Sequence, residues 1–174
     1  MRVEYRHQDL TPTGLCEPPD MDGYDPHDLS RFEQAQTNQY QTALSEIRGG
    51  HKQSHWIWFI FPQFDGLGLS ATSRCYAIKS IAEAEAYLQH PVLGPRLVDC
   101  CRAAIDVNGL PAFEIFGAPD DMKLRSCARL FAHVSAPGSV FEILLDRFFD
   151  GEPDQQRGRP PSPVRPGALV MSRG

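Results

Sequence analysis

Six consecutive residues, His51-Lys52-Gln53-Ser54-His55-Trp56, set two imidazoles, an ammonium, a hydroxyl and an indole just before the most apolar run of the chain, Trp56 to Phe61. Polar groups at the mouth of a core can build a ligand pocket. Lys52 would meet an anion, His55 would exchange a proton near neutral pH and is the candidate catalytic group, and Trp56 would stack on a ring. Such residues more commonly have structural roles, with Ser54 capping the next helix and His55 and Trp56 giving their N–H groups to backbone carbonyls. His51 and His55 stand four apart, as zinc ligands on one helical face do. Zinc needs a third protein ligand, none follows at a telling spacing, and no metal is expected.

A second cluster runs Asp120-Asp121-Met122-Lys123-Leu124-Arg125-Ser126 and continues to Arg129. On a helix Asp121, Arg125 and Arg129 recur every fourth residue, by default a solvated ladder of ion pairs. The sharper alternative has Lys123 or Arg125 leaning over the domain edge to bind a phosphate or carboxylate, which a guanidinium grips through two hydrogen bonds. Other chemistries lack a signature. There is no Gly-x-Ser-x-Gly, no serine has an evident base, and Gln63-Phe64-Asp65-Gly66-Leu67-Gly68 has no nucleotide-binding glycine spacing and reads as a loop. Cys100 and Cys101 fall on an apolar face, where thiols are usually inert. Glu114, Asp120 and Asp121 could act as acid or base, but spacing does not show which face each other. No cofactor is implied.

The elements that must position these groups read as helices. One is expected from Asp25, with Pro26 at its first position and an apolar stripe through Leu29, Phe32, Tyr40, Leu44 and Ile47, ending at Gly49-Gly50. Ser80 and Glu83 form a capping box ahead of Ile81, Ala84, Glu85 and Leu88. Leu93, Leu97, Cys100, Cys101, Ala104 and Ile105 share one face of a longer helix that Asn108 and Gly109 stop. Asp120 and Asp121 start the helix of Leu124, Cys127, Ala128 and Phe131, and Ser139 with Glu142 caps one that ends at Gly151. Trp56 to Phe61 suits a strand by composition. A lone strand would have no partner, since no second segment alternates in period two, so the expectation is a short buried helix and an all-α, compact multihelical domain with short turns.

Composition narrows the classes. The 174 residues suffice for one core, with 41% hydrophobic and 22% charged residues. Residues 1–24 and 155–174 are rich in Pro and Gly without apolar periodicity and read as disordered tails, leaving 25–154 as the domain. A net charge of -5 makes nucleic acid an unlikely partner. Cysteines at 16, 75, 100, 101 and 127 are odd in number and form no Cys-x-x-Cys, which suits free thiols in a reducing compartment. The first residues lack the apolar core of a secretion signal, and no stretch reaches the roughly 18 apolar residues of a membrane span. A cytoplasmic monomer is expected.

The stretch Lys52 to Gln63, with Gly66-Leu67-Gly68 and Ser70, resembles the signature of the bacterial domain-of-unknown-function family 1810, whose members are sometimes mislabelled calpastatin. Tyr76-Ala77-Ile78, Glu83-Ala84, Tyr87-Leu88, His90-Pro91, Leu93-Gly94, Arg96-Leu97, Ile115-Phe116-Gly117, Asp120 and Lys123-Leu124-Arg125-Ser126 match it in order, over residues 25 to 154. The resemblance implies a mainly helical fold and no activity, so it assigns no catalytic residue. The matching polar positions are Lys52, Ser54, His55, Gln63, Lys123, Arg125 and Ser126. Two places depart from it: Cys127-Ala128-Arg129 replaces a small, hydroxyl-rich run, and after Asp154 the closing helix gives way to Gln155-Gln156-Arg157-Gly158-Arg159-Pro160-Pro161.

The expectation that follows is a small ligand-binding domain or enzyme whose pocket joins Lys52, Ser54, His55, Trp56 and Gln63 to Lys123 and Arg125. Its ligand would be anionic, phosphate-bearing or nucleotide-like. The alternative is a non-catalytic module whose aromatics are core and whose basic residues dock an acidic partner.

Overall fold

Where the apolar stripe predicts one helix from Asp25 to Ile47, there are two: α1 (Ser30–Gln36) and α2 (Tyr40–Arg48). The structure, a computed structural model, describes residues 25–68 and 70–149. Asp25 is a cap and not the first helical turn, because its carboxylate accepts from the N–H groups of Leu29 and Ser30, both at 2.8 Å. The break at Thr37-Asn38-Gln39 is polar and exposed, and the Thr37 hydroxyl donates to Glu33 O at 2.8 Å, a local bond that competes with helix continuation. Gln36 is buried just before the break. Its Nε2 donates to Phe59 O (2.8 Å) and to Tyr87 Oη (3.1 Å), tying α1 to the segments that follow.

The aromatic run is a helix of one turn, α3 (Ile57–Ile60), with both isoleucines buried. The expected all-α architecture is found. Strand-like pairing among the described residues is limited to one isolated parallel bridge between Phe64 and Ile78. Ile78 N donates to Gln63 O at 2.8 Å and Asp65 N to Ile78 O at 2.9 Å, which anchors the 62–68 loop beneath α4 (Ala71–Cys75) and α5 (Ile81–Gln89).

The Ser80 cap on α5 forms, with Glu83 N donating to Ser80 Oγ at 3.1 Å, while the Glu83 carboxylate reaches past the cap to Lys79 N. The buried face differs from the expected one: Glu83, Ala84 and Tyr87 point inward, while Ile81 is 40% exposed and Glu85 is exposed. Glu83 can be buried because Arg31 Nη2 (2.5 Å) and Lys79 N (2.8 Å) both donate to its carboxylate.

α6 (Leu93–Ile105) is central, burying Leu93, Leu97, Cys100, Cys101 and Ala104 against α2, α5 and α9 (Val140–Phe149). Each of the two buried leucines contributes about 1.5 to 3 kcal/mol. Gly94 lets α6 approach α5, since a Cβ there would lie 2.0 Å from Leu88 O. α7 (Ala112–Phe116) leads into α8 (Asp120–His133), which packs on α9 and touches α3 and α5. Among the described residues no helix is long and apolar enough to cross a membrane. The expected tails at 1–24 and 155–174, and the helix stop at Gly151, lie outside the described residues.

Candidate functional site

The loop between α2 and α3 is organised by a residue that sequence reasoning missed. Glu46 Oε2 accepts from Gln53 N (2.8 Å), Ser54 N (3.0 Å) and Trp56 Nε1 (2.7 Å), and Oε1 accepts from the Ser54 hydroxyl. Burial alone would raise this acid, but the four hydrogen bonds prevail and lower it from 4.5 to about 2. Ser54 therefore bonds to Glu46 instead of capping α3, whose N-cap is Trp56. Trp56 is fully buried, its ring 6.3 Å from Phe61 and 6.4 Å from Phe116, with its N–H on the Glu46 carboxylate and not on a backbone carbonyl.

The same loop delivers Lys52 inward. Its backbone N–H donates to Ile115 O at 2.7 Å, and its ammonium lies 2.6 Å from Asp120 Oδ2. Lys123, one turn into α8, meets the other oxygen, Asp120 Oδ1, at 2.7 Å. The two lysine clusters thus converge on one carboxylate. Burial opposes ionisation of Asp120, but the hydrogen bonds and charges of Lys123 and Lys52 win and hold it below the usual carboxylate range. The triad carries two positive charges and one negative. Lys123 Nζ also sits 4.5 Å from the centroid of Trp58, and Lys52 Nζ 5.2 Å from that of Trp56.

In front of the triad opens a cavity of about 540 Å³, lined by Trp58, Gln63, Met122, Lys123, Ser126 and the Leu67-Gly68 loop, among others. Gln63 and Lys123 are among the expected site residues, and Trp58, not Trp56, supplies the aromatic wall. Because α3 is a single turn anchored by buried Ile57 and Ile60, residues 56 and 58 face different ways. The paired tryptophans were the available sequence signal, but the choice between them needed the register. Lys52 stands behind Asp120 and does not line the cavity, and neither do His55, which is exposed, or Ser54.

Arg125 is two residues from Lys123, about 200° around the helix. It is 8% exposed and lies over Phe149, its guanidinium carbon 5.8 Å from the ring centroid, and Asp121 is 4% exposed. The solvated ladder is corrected here: this face of α8 turns inward, because α9 covers it. The first amides of α8 are engaged too, Asp121 N with Gly117 O (3.0 Å) and Met122 N and Lys123 N with Pro119 O (3.2 and 3.3 Å), so the helix end offers no anion cradle.

Elsewhere, a cavity of about 320 Å³ between α2 and α6 is lined by Arg48, Arg102, Asp99 and Asp106, a balanced set with no charge preference. Among the described residues no group of three or more His, Cys, Asp or Glu could hold a metal ion.

Comparison with known proteins gives a match of residues 26–159 to the model of a protein family of unknown function, DUF1810. A solved structure, the crystal structure of the conserved hypothetical protein Rv1873 from Mycobacterium tuberculosis, is similar with a TM-score of 0.72. The two share 46% identity over 74% of this chain and 91% of that one. A comparison with curated proteins returns no match.

Proposed function

The chain belongs to the DUF1810 family, whose function is unknown, and from that premise we propose that the Trp58 cavity binds a small, singly charged anionic molecule carrying a flat or apolar part. The observation that carries this reading is the convergence of Lys52 and Lys123 on Asp120 at the rim of a cavity walled by an aromatic ring. Its volume of about 540 Å³ lies within the ordinary range for small-molecule sites.

Charge selects within the anionic class. Asp120 cancels one lysine, so the triad presents a net single positive charge, suited to a carboxylate or a phosphodiester and poorly suited to a triphosphate. Lys123 contacts the anion, Trp58 and Met122 cover its apolar part, and Gln63 offers an amide to its polar edge. Lys52 acts at one remove, holding Asp120 and through it the Lys123 ammonium. A nucleotide-like ligand fits this pattern when its phosphate is a diester.

The test is ligand-induced thermal stabilisation with aromatic carboxylates, cyclic nucleoside monophosphates and nucleoside triphosphates. Stabilisation by the single-charge compounds should be lost in Lys123→Ala and Trp58→Ala and kept in His55→Ala. Equal stabilisation of wild type and Lys123→Ala, or none in wild type, would overturn the reading.

A further inference from the structure

We infer that the ligand of this site is an amphiphile, with its anionic head at Lys123 and an apolar tail running past Leu67 towards α5; this rests on the reading above and extends it. A second cavity, of about 400 Å³, adjoins the first: Leu67 and Ser126 line both. Its remaining walls include Phe64, Ile81 and Leu130. Phe64, Leu67 and Ile81 are 40%, 60% and 40% exposed, three of the five large hydrophobics that the described residues leave open to solvent. Exposed apolar side chains gathered at one place and rimmed by polar groups mark a binding groove.

The Lys52–Asp120–Lys123 triad lies at one end, and beyond Leu67 the walls are Phe64, Ile81 and Leu130 together with Ser126, Arg129 and His133. A head held at Lys123 can send a tail past Leu67 along Phe64, Ile81 and Leu130. The two volumes together stay within the small-molecule range, which favours a single-chain amphiphile over a protein partner. The groove wall is also built to stay in place, because backbone hydrogen bonds tie Gln63 and Asp65 to Ile78, just before α5.

The experiment titrates the full chain with straight-chain carboxylates of four to ten carbons, below their micellar concentrations, and with alkyltrimethylammonium ions of matching length. Affinity for the carboxylates should rise about three- to fourfold per added methylene until the groove is filled, the gain expected from burying a CH₂ group. The cations should bind far more weakly. Ile81→Asp places an acid at the exposed first position of α5, where the helix dipole favours it, so the fold is preserved. This variant should flatten the dependence on chain length, whereas Lys123→Ala should lower affinity for every length and keep that dependence.

A length dependence that is flat in wild type, unchanged in Ile81→Asp or shared by the cations would overturn the tail. Aromatic carboxylates that still stabilise the protein through Lys123 would then leave the anion site standing. If neither series binds, both readings fall.

Discussion

Replacing Glu46 by Gln tests the arrangement that delivers Lys52 to the site. The carboxylate accepts four hydrogen bonds with its two oxygens, and a carboxamide offers one oxygen and an N–H₂ that points donors at donors. The depression from 4.5 to about 2 corresponds to about 3 kcal/mol of preference for the charged form in the folded state. Partial solvent exposure screens that value, and about half is a fair expectation. Glu46→Gln should therefore lower stability by about 2 kcal/mol at pH 7.

The sign follows from the direction of the shift. An acid lowered on folding stabilises fully above its unfolded value near 4.5, and that stabilisation disappears as pH falls towards 2. The gap between wild type and variant should thus stay constant from pH 7 to 5.5 and lose more than half its size by pH 3. Urea denaturation at pH 7, 5.5, 4 and 3, followed by circular dichroism, measures it. A gap under 0.5 kcal/mol at neutral pH, or one that persists undiminished at pH 3, would refute the reasoning.

Arg125→Ala should cost about 2 to 3 kcal/mol of stability, since the residue is buried against α9, and should leave anion-induced stabilisation intact; urea titration with and without ligand separates the two effects. Gly94→Ala should cost more than about 3 kcal/mol in the same assay, because its Cβ would lie 2.0 Å from the Leu88 carbonyl oxygen and drive α5 and α6 apart. With a thiol reagent at pH 8, exposed Cys75 should react within minutes. Cys100, which burial pushes up to about 12, should react only after denaturation, together with Cys101 and Cys127, and mass mapping of the labelled peptides would show the order.

Local order was legible in the sequence wherever the controlling interaction spans three or four residues. The Ser80 and Ser139 hydroxyls accept from Glu83 N and Glu142 N as the capping pattern predicts, although the two carboxylates reach back to Lys79 N and Gly138 N, and the faces carrying Leu97, Cys100 and Cys101 on α6 and Leu124, Cys127 and Phe131 on α8 turn inward as helical spacing predicts. Residue types near the site were legible as well, since Lys52, Gln63 and Lys123 stand beside apolar runs that had to fold against one another. Their partner was not. Asp120 joins two lysines far apart in the chain, Lys52 and Lys123, and no periodicity encodes a contact between separate elements. Tertiary packing also decided which tryptophan walls the cavity, whether α1 and α2 are one helix, and that Arg125 is buried instead of solvated. In each case the local pattern leaves the choice open and a neighbouring element makes it: the core around Phe61 and Phe116 buries Trp56, the Phe59 carbonyl and Tyr87 hydroxyl hold Gln36 at the end of α1, and α9 covers Arg125.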